Sequence, residues 1–182
     1  QKAYGCPVDV EFSSDGENLY ILQCRPLSKQ LEWNRVQLPV NVPEKNCIFS
    51  ANKDVQNGTI KNIDYVVFIS PEAYNDLADS KSRLRVGRVV GALNQRLSEK
   101  KFILIGPGRW GSNDINLGVR VFYNDISNTA ALVEVAHQTN GFAPELSFGT
   151  HFFQDLVESN IFYLPLYPDD ETTDFNRDFL YN

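Results

Sequence analysis

Apolar and polar positions alternate at the start of the chain, and further on the apolar positions close up into unbroken runs. Val8, Val10 and Phe12 alternate with Asp9 and Glu11, the period-two signature of a strand with one apolar and one acidic face. Leu19, Ile21, Gln23 and Arg25 alternate with Tyr20, Leu22 and Cys24. The turn-rich stretch from Ser13 to Asn18 lies between them, so the pattern predicts a hairpin. A two-residue Asp15-Gly16 turn would pair Glu11 with Tyr20 and put Gln23 on the opposite face. A loop one residue longer would pair Glu11 with Ile21 and Asp9 with Gln23, and Asp9, Glu11, Gln23 and Arg25 would share a face.

The pattern then changes period. Tyr65 to Ile69 is a continuous apolar run, which predicts a strand covered on both faces. Ser70-Pro71-Glu72 reads as a helix start, with a capping hydroxyl, proline at the first position and an acid in the first turn. Val86, Val90, Leu93 and Leu97 recur at helical spacing and predict a helix over 80–99, with Gly87 and Gly91 allowing close packing on a sheet. Strands are predicted at 101–105, 119–123, 130–135 and 161–166. Phe152, Phe153, Leu156 and Val157 mark a last helix. Strand-helix-strand order at the start implies a right-handed crossover and a parallel pair. The short turns between later strands predict antiparallel additions. The class is α/β, with α+β as the alternative: a mixed sheet flanked by helices. Four stretches follow: a hairpin at 1–28, a connector with short strands at 29–57, the α/β domain at 58–168, and a loosely held acidic tail at 169–182.

Composition narrows the function classes. At 42% hydrophobic and 12% aromatic over 182 residues, the chain can bury a core. A net charge of −6 and a pI near 4.9 argue against nucleic acid or an acidic membrane as partner. The sequence shows no apolar run long enough to span a membrane. Cys6, Cys24 and Cys47 form neither a metal-ligand pair nor a disulfide framework, so a cytoplasmic location is expected. Methionine is absent even at position 1, which reads as a processed or excised chain.

The four polar hairpin positions carry the first candidate chemistry. Magnesium takes hard oxygen ligands such as a carboxylate and an amide carbonyl, and arginine binds phosphate through parallel donors. The alternative is an ordinary edge hairpin with a solvated polar face. The run Asp9-Val10-Glu11-Phe12 to Leu22-Gln23-Cys24-Arg25-Pro26 resembles the closing hairpin of the nucleotide-binding domain, an ATP-grasp fold, in the phosphoenolpyruvate synthase and pyruvate phosphate dikinase family. The resemblance covers residues 5 to 28. It implies that Glu11 and Gln23 bind the metal of Mg-ATP, that Arg25 contacts the phosphates, and that Asp9 lines the nucleotide site. The family's upstream phosphate-holding residues and its Thr-Ser-His phosphohistidine segment do not occur in this chain. The resemblance therefore implies the C-terminal part of a kinase-like transferase: an ATP-grasp remnant whose partner is the upstream nucleotide-binding domain of the same parent. ATP and Mg2+ would bind that parent, and neither is expected to bind this fragment tightly.

Two further stretches stand out. Gly106, Gly108, Arg109, Trp110, Gly111 and Ser112 follow the strand ending at Ile105, where open α/β sheets hold ligands. Glycines let backbone donors approach an anion and Arg109 would clamp it, so a small anionic metabolite is the expected ligand. The alternative is a tight turn with Trp110 in the core and Arg109 pairing an acid. The stretch lacks the Gly-Lys-Ser/Thr ending of a phosphate-binding loop. Thr150 or Ser147 would cap the last helix, and His151 in its first turn is a weak catalytic candidate, the alternative being a packed, hydrogen-bonded histidine. If the Arg109 loop and the His151 helix start converge, they would form one anion pocket. His137 is assigned no role.

Overall fold

The computed structural model describes residues 2, 3, 5, 8–26, 36–138 and 144–181, with only the backbone of residues 9, 25, 26 and 44. Cys6, the part of the predicted connector before residue 36, and the last residue of the predicted tail lie outside the described residues. The chain divides into two units, residues 1–33 and 34–182.

The first unit is the hairpin. Strand β1 (Val8–Ser14) pairs antiparallel with β2 (Leu19–Pro26). Asp15 shapes the turn: its carboxylate accepts from the amides of Glu17 at 3.0 Å and Asn18 at 2.7 Å, and from the Tyr20 hydroxyl at 2.8 Å. Those bonds hold its carboxyl well below the ordinary value.

The second unit is built on one sheet. Strands β3 (Tyr65–Phe68), β4 (Phe102–Pro107), β5 (Ala131–Val135) and β6 (Phe162–Leu166) lie side by side in chain order, and every pairing is parallel. The α/β class is as expected, but the predicted antiparallel additions to this sheet are not formed. The reason lies at 119–123, predicted as a strand. Val119 and Val121 are buried there as part of an irregular crossover that ends in a 3-10 turn at Tyr123–Asp125. Their alternation fills the core without joining the sheet, and β5 returns parallel to β4.

Helix α1 (Pro71–Asn75) starts as the sequence predicts: the Ser70 hydroxyl accepts from the Ala73 amide at 3.0 Å. Helix α2 (Ser80–Arg96) is capped by Asp79 and α3 (His151–Glu158) by Thr150. Stepping in one direction with right-handed crossovers places the connections on one face. The larger core follows from this: Tyr74, Val90, Leu104, Trp110, Leu132, Leu156 and Tyr163 pack there. A Cβ at Gly87 would lie 2.1 Å from the Arg120 carbonyl oxygen. The bare side of α2 therefore admits the crossover segment, not the sheet that the sequence suggested.

The other face carries Ile105, Val133, Val135 and Leu166, and Phe49, Phe175 and Leu180 cover it. Phe49 and Phe175 form an antiparallel bridge, and the Asn176 amide donates to the Ile48 carbonyl at 2.7 Å. Helix α4 (Arg177–Tyr181) ends the described chain. The stretch expected to be a loose tail thus closes the sheet, because its Phe and Leu are apolar enough to bury despite the acids around them.

Candidate functional site

In the hairpin, register decides what the polar residues can do. Asp9 stands opposite Arg25 and Glu11 opposite Gln23, while Phe12 pairs with Ile21 and Ser14 with Leu19. A bulge between Glu11 and Phe12 leaves Leu22 with no residue opposite it. The ladder from the turn, continued without the bulge, would set Glu11 against Leu22 and send Gln23 to the other face. The extra residue brings all four polar positions onto one face. The register differs from both alternatives weighed from sequence, because the four-residue loop and the bulge each shift it. The other face holds apolar side chains without a core: Phe12 is 62% exposed, Leu19 62% and Ile21 58%.

In the α/β unit, the glycine-rich turn lends one backbone donor, the Trp110 amide, to a buried carboxyl group of the protein itself. Glu134, on β5, is fully buried. Its carboxylate accepts from the Trp110 amide at 2.8 Å, the Ser147 amide at 2.6 Å, the Ser147 hydroxyl at 2.6 Å and the Tyr163 hydroxyl at 2.8 Å. Burial pushes the Glu134 carboxyl above its ordinary value, and the bonds from Ser147, Trp110 and Tyr163 oppose this without cancelling it. The Ser147 oxygen also lies 3.1 Å from the Trp110 carbonyl. A protonated Glu134 can therefore donate to Ser147 Oγ while that hydroxyl donates onward, with every group satisfied.

The neighbouring amides are committed as well. Gly108 donates to the Val135 carbonyl at 2.9 Å, Arg109 to Leu117 at 2.7 Å and Gly111 to Val119 at 3.3 Å. The backbone donors of the turn from Gly108 to Gly111 all have internal acceptors. Gly106 belongs to β4, Trp110 is fully buried, and Ser112 Oγ accepts from the Asp114 amide at 3.1 Å. The Arg109 guanidinium lies 3.4 Å from Glu145, whose side chain is 79% exposed. The turn and the start of α3 do converge: a Cβ on Gly111 would stand 2.6 Å from the Phe152 ring. What lies between them is Phe152 and the Glu134 network. His151 is exposed at the helix start.

Sequence reading missed Glu134. Its signal was a lone acid in the apolar run Ala130-Ala131-Leu132-Val133-Glu134-Val135, where an ionisable residue on a strand buried on both faces requires specific partners.

An open cleft lies nearby, at the carboxyl ends of β3, β4 and β5. It has a volume of about 350 Å3 and is lined by Tyr74, Arg83, Pro107, Gly108, Gly118 and His137 among others. Arg83 is steadied by Asn116 Oδ1 at 2.6 Å and the Asn75 carbonyl at 3.1 Å, with its guanidinium 5.6 Å from the Tyr74 ring centre. His137 sits between two acids. Its Nδ1 is 3.2 Å from Asp169 without hydrogen-bond alignment, and its Nε2 is 3.9 Å from Glu72. Glu72 also accepts from Ser70 and Tyr181, and Arg177 lies 3.4 Å away. Burial works to raise the Glu72 carboxyl, but the hydrogen bonds from Tyr181, its own amide and Ser70, with the Arg177 charge, leave it below the ordinary value.

No family model, curated protein or solved structure matches the chain. Among the described residues no three His, Cys, Asp or Glu side chains gather to hold a metal, and no helix is long and apolar enough to cross a membrane.

Proposed function

We propose that the chain is the C-terminal part of an ATP-dependent phosphotransferase related to phosphoenolpyruvate synthase, with its hairpin closing a nucleotide site completed by upstream residues. The observation that carries this reading is the paired register, Glu11 against Gln23 and Asp9 against Arg25, produced by the bulge at Leu22. One carboxylate and one carboxamide oxygen make a partial donor set. It fits Mg2+ arriving with a nucleotide, since that ion completes its shell with water and phosphate oxygens. Glu11 and Gln23 would hold the metal, and Arg25 and Asp9 would line the nucleotide. The metal would neutralise phosphate charge, the main requirement of phosphoryl transfer. The exposed apolar face of the hairpin supports the same reading, because it is the kind of surface another part of a nucleotide domain covers. A cytoplasmic location goes with it.

The test is Mg-ATP calorimetry on the longest protein encoded in this reading frame. Glu11→Ala and Gln23→Ala should each weaken binding about tenfold or more, and Asn52→Ala, in the α/β unit, should not. The 182-residue chain alone should bind Mg-ATP negligibly. Unchanged affinity in Glu11→Ala, or a reading frame without ATP-grasp sequence upstream, sinks the proposal.

A second reading concerns the α/β unit alone: a non-catalytic module for a small anionic metabolite. The cleft beside Arg83 favours it, because it lies where parallel sheets hold ligands. Arg83 takes over the role expected of Arg109, whose turn has no free backbone donor.

A further inference from the structure

Strand β3 ends the sheet, and among the described residues no strand pairs with its outer side. Tyr65 and Ile69 donate their amides to the Lys101 and Ile105 carbonyls on the β4 side. By the alternation of a strand, the amides of Val66 and Phe68 face outward. This open edge runs between two grooves. On the α2 side, about 430 Å3 is lined by Val67, Ile69, Val86, Val89 and Leu93, with Arg85 at its border. On the α4 side, about 350 Å3 is lined by Ile63, Tyr65, Phe179 and Leu180. Tyr65, Val89 and Phe179 are each more than half exposed. Residues of an added strand point alternately to the two faces, so one segment along β3 would fill both grooves.

Charge identifies the occupant. Helix α2 contains Lys81, Arg83, Arg85, Arg88 and Arg96 and no acid, in a chain of net charge −6. Arg83 is engaged with Asn116, whereas Lys81, Arg85, Arg88 and Arg96 are exposed and fall on one face by their helical spacing. A second copy adding its own β3 would make an isologous contact. It would set two basic helices side by side on one face of the joined sheet, a like-charge arrangement that disfavours self-pairing.

We propose that the outer edge of β3 receives a short extended segment of a partner polypeptide, with alternate apolar residues and with carboxylates that meet the basic face of α2. This surface shares no lining residue with the Arg83 cleft.

The test uses the 182-residue chain and two short fluorescent peptides, both alternating valine with threonine, one ending in aspartates and the other in lysines. Anisotropy should show the aspartate peptide binding about tenfold more tightly. The double variant Arg85→Glu/Arg88→Glu should reverse that order. N-methylation of alternate peptide residues should abolish binding in one register and spare it in the other. Equal affinity for the two peptides, no binding of either by the folded chain, or indifference to methylation in both registers would each overturn the proposal. So would sedimentation showing a dimer that Phe68→Pro dissociates, since the occupant would then be a second copy.

Discussion

The Trp110 amide donates to the Glu134 carboxyl group at 2.8 Å, so the acceptor that meets the glycine-rich turn is part of the protein. The same carboxyl group ties that turn to the Ser147 segment and to Tyr163 on β6. Glu134→Gln should show how much the tie contributes. A carboxamide has one accepting oxygen, so its nitrogen must face the amide hydrogen of Trp110 or Ser147. Leaving one buried donor unsatisfied costs about 1–3 kcal/mol, measurable by urea unfolding. A native-like midpoint would mean that the network contributes little.

The same substitution makes a pH prediction. Burial holds the folded Glu134 carboxyl above its ordinary value of 4.5. A proton bound more tightly when folded contributes stability that is fully present below the unfolded pKa and lost as pH rises through the folded pKa. The stability gap between the native chain and Glu134→Gln should therefore shrink as pH rises above the ordinary carboxyl value. The carboxyls of Glu72 and Asp79, held below their ordinary values, act in the opposite sense, but both proteins share them. A gap that widens with pH would show that Glu134 is ionised throughout.

Gly108 and Gly111 should respond differently to alanine. Both have positive φ, 61° and 71°, so each pays backbone strain of about 1–3 kcal/mol. At Gly108 the added Cβ would lie 1.8 Å from the Leu117 carbonyl oxygen, and at Gly111 it would lie 2.6 Å from the Phe152 ring. A ring can be truncated and a carbonyl cannot. Phe152→Ala in a Gly111→Ala background should therefore cost less than the two single changes added together, while Gly108→Ala with Phe152→Ala should be additive. Double-mutant cycles from thermal unfolding would decide this.

Periodicity made the parallel sheet elements legible: the runs at 65–69, 101–105, 130–135 and 161–166 each overlap a strand, with β4 running on to Pro107, and both long helices appear where apolar spacing placed them. It failed where burial and pairing separate. Val119 and Val121 alternate like a strand but fill the core from an irregular crossover. Phe175 and Leu180 are scattered among acids, and only the sheet face they cover makes sense of them. At the candidate site, glycine content marked a turn, and its Trp110 amide meets an acceptor inside the protein. The acceptor was a strand residue distant in sequence, and local pattern does not report such a partner.

Arg109 and Arg83 can be separated by one experiment. Arg109 pairs an exposed acid, so Arg109→Ala should shift stability by less than about 0.5 kcal/mol. Calorimetry with inorganic phosphate should show binding weakened by Arg83→Ala and unaffected by Arg109→Ala. The reverse order would return the anion site to the glycine-rich turn.

The C-terminal segment should behave as core and not as a tail. Phe175 and Leu180 pack on the sheet face formed by Ile105, Val133, Val135 and Leu166. Tyr181 sets its ring edge-on to Phe68, with centroids 5.1 Å apart. Ending the chain after Asp174 removes these contacts and the Phe49–Phe175 bridge. Two large apolar side chains and an aromatic pair lost from a partly buried face should cost about 2–5 kcal/mol. The uncovered strands should also bind a hydrophobic dye. Leu180→Ala alone should cost about 1–2 kcal/mol, less than a fully buried leucine, because the residue is only partly covered. If the truncated chain unfolds at the native urea midpoint and binds no dye, the second face of the sheet does not depend on this segment.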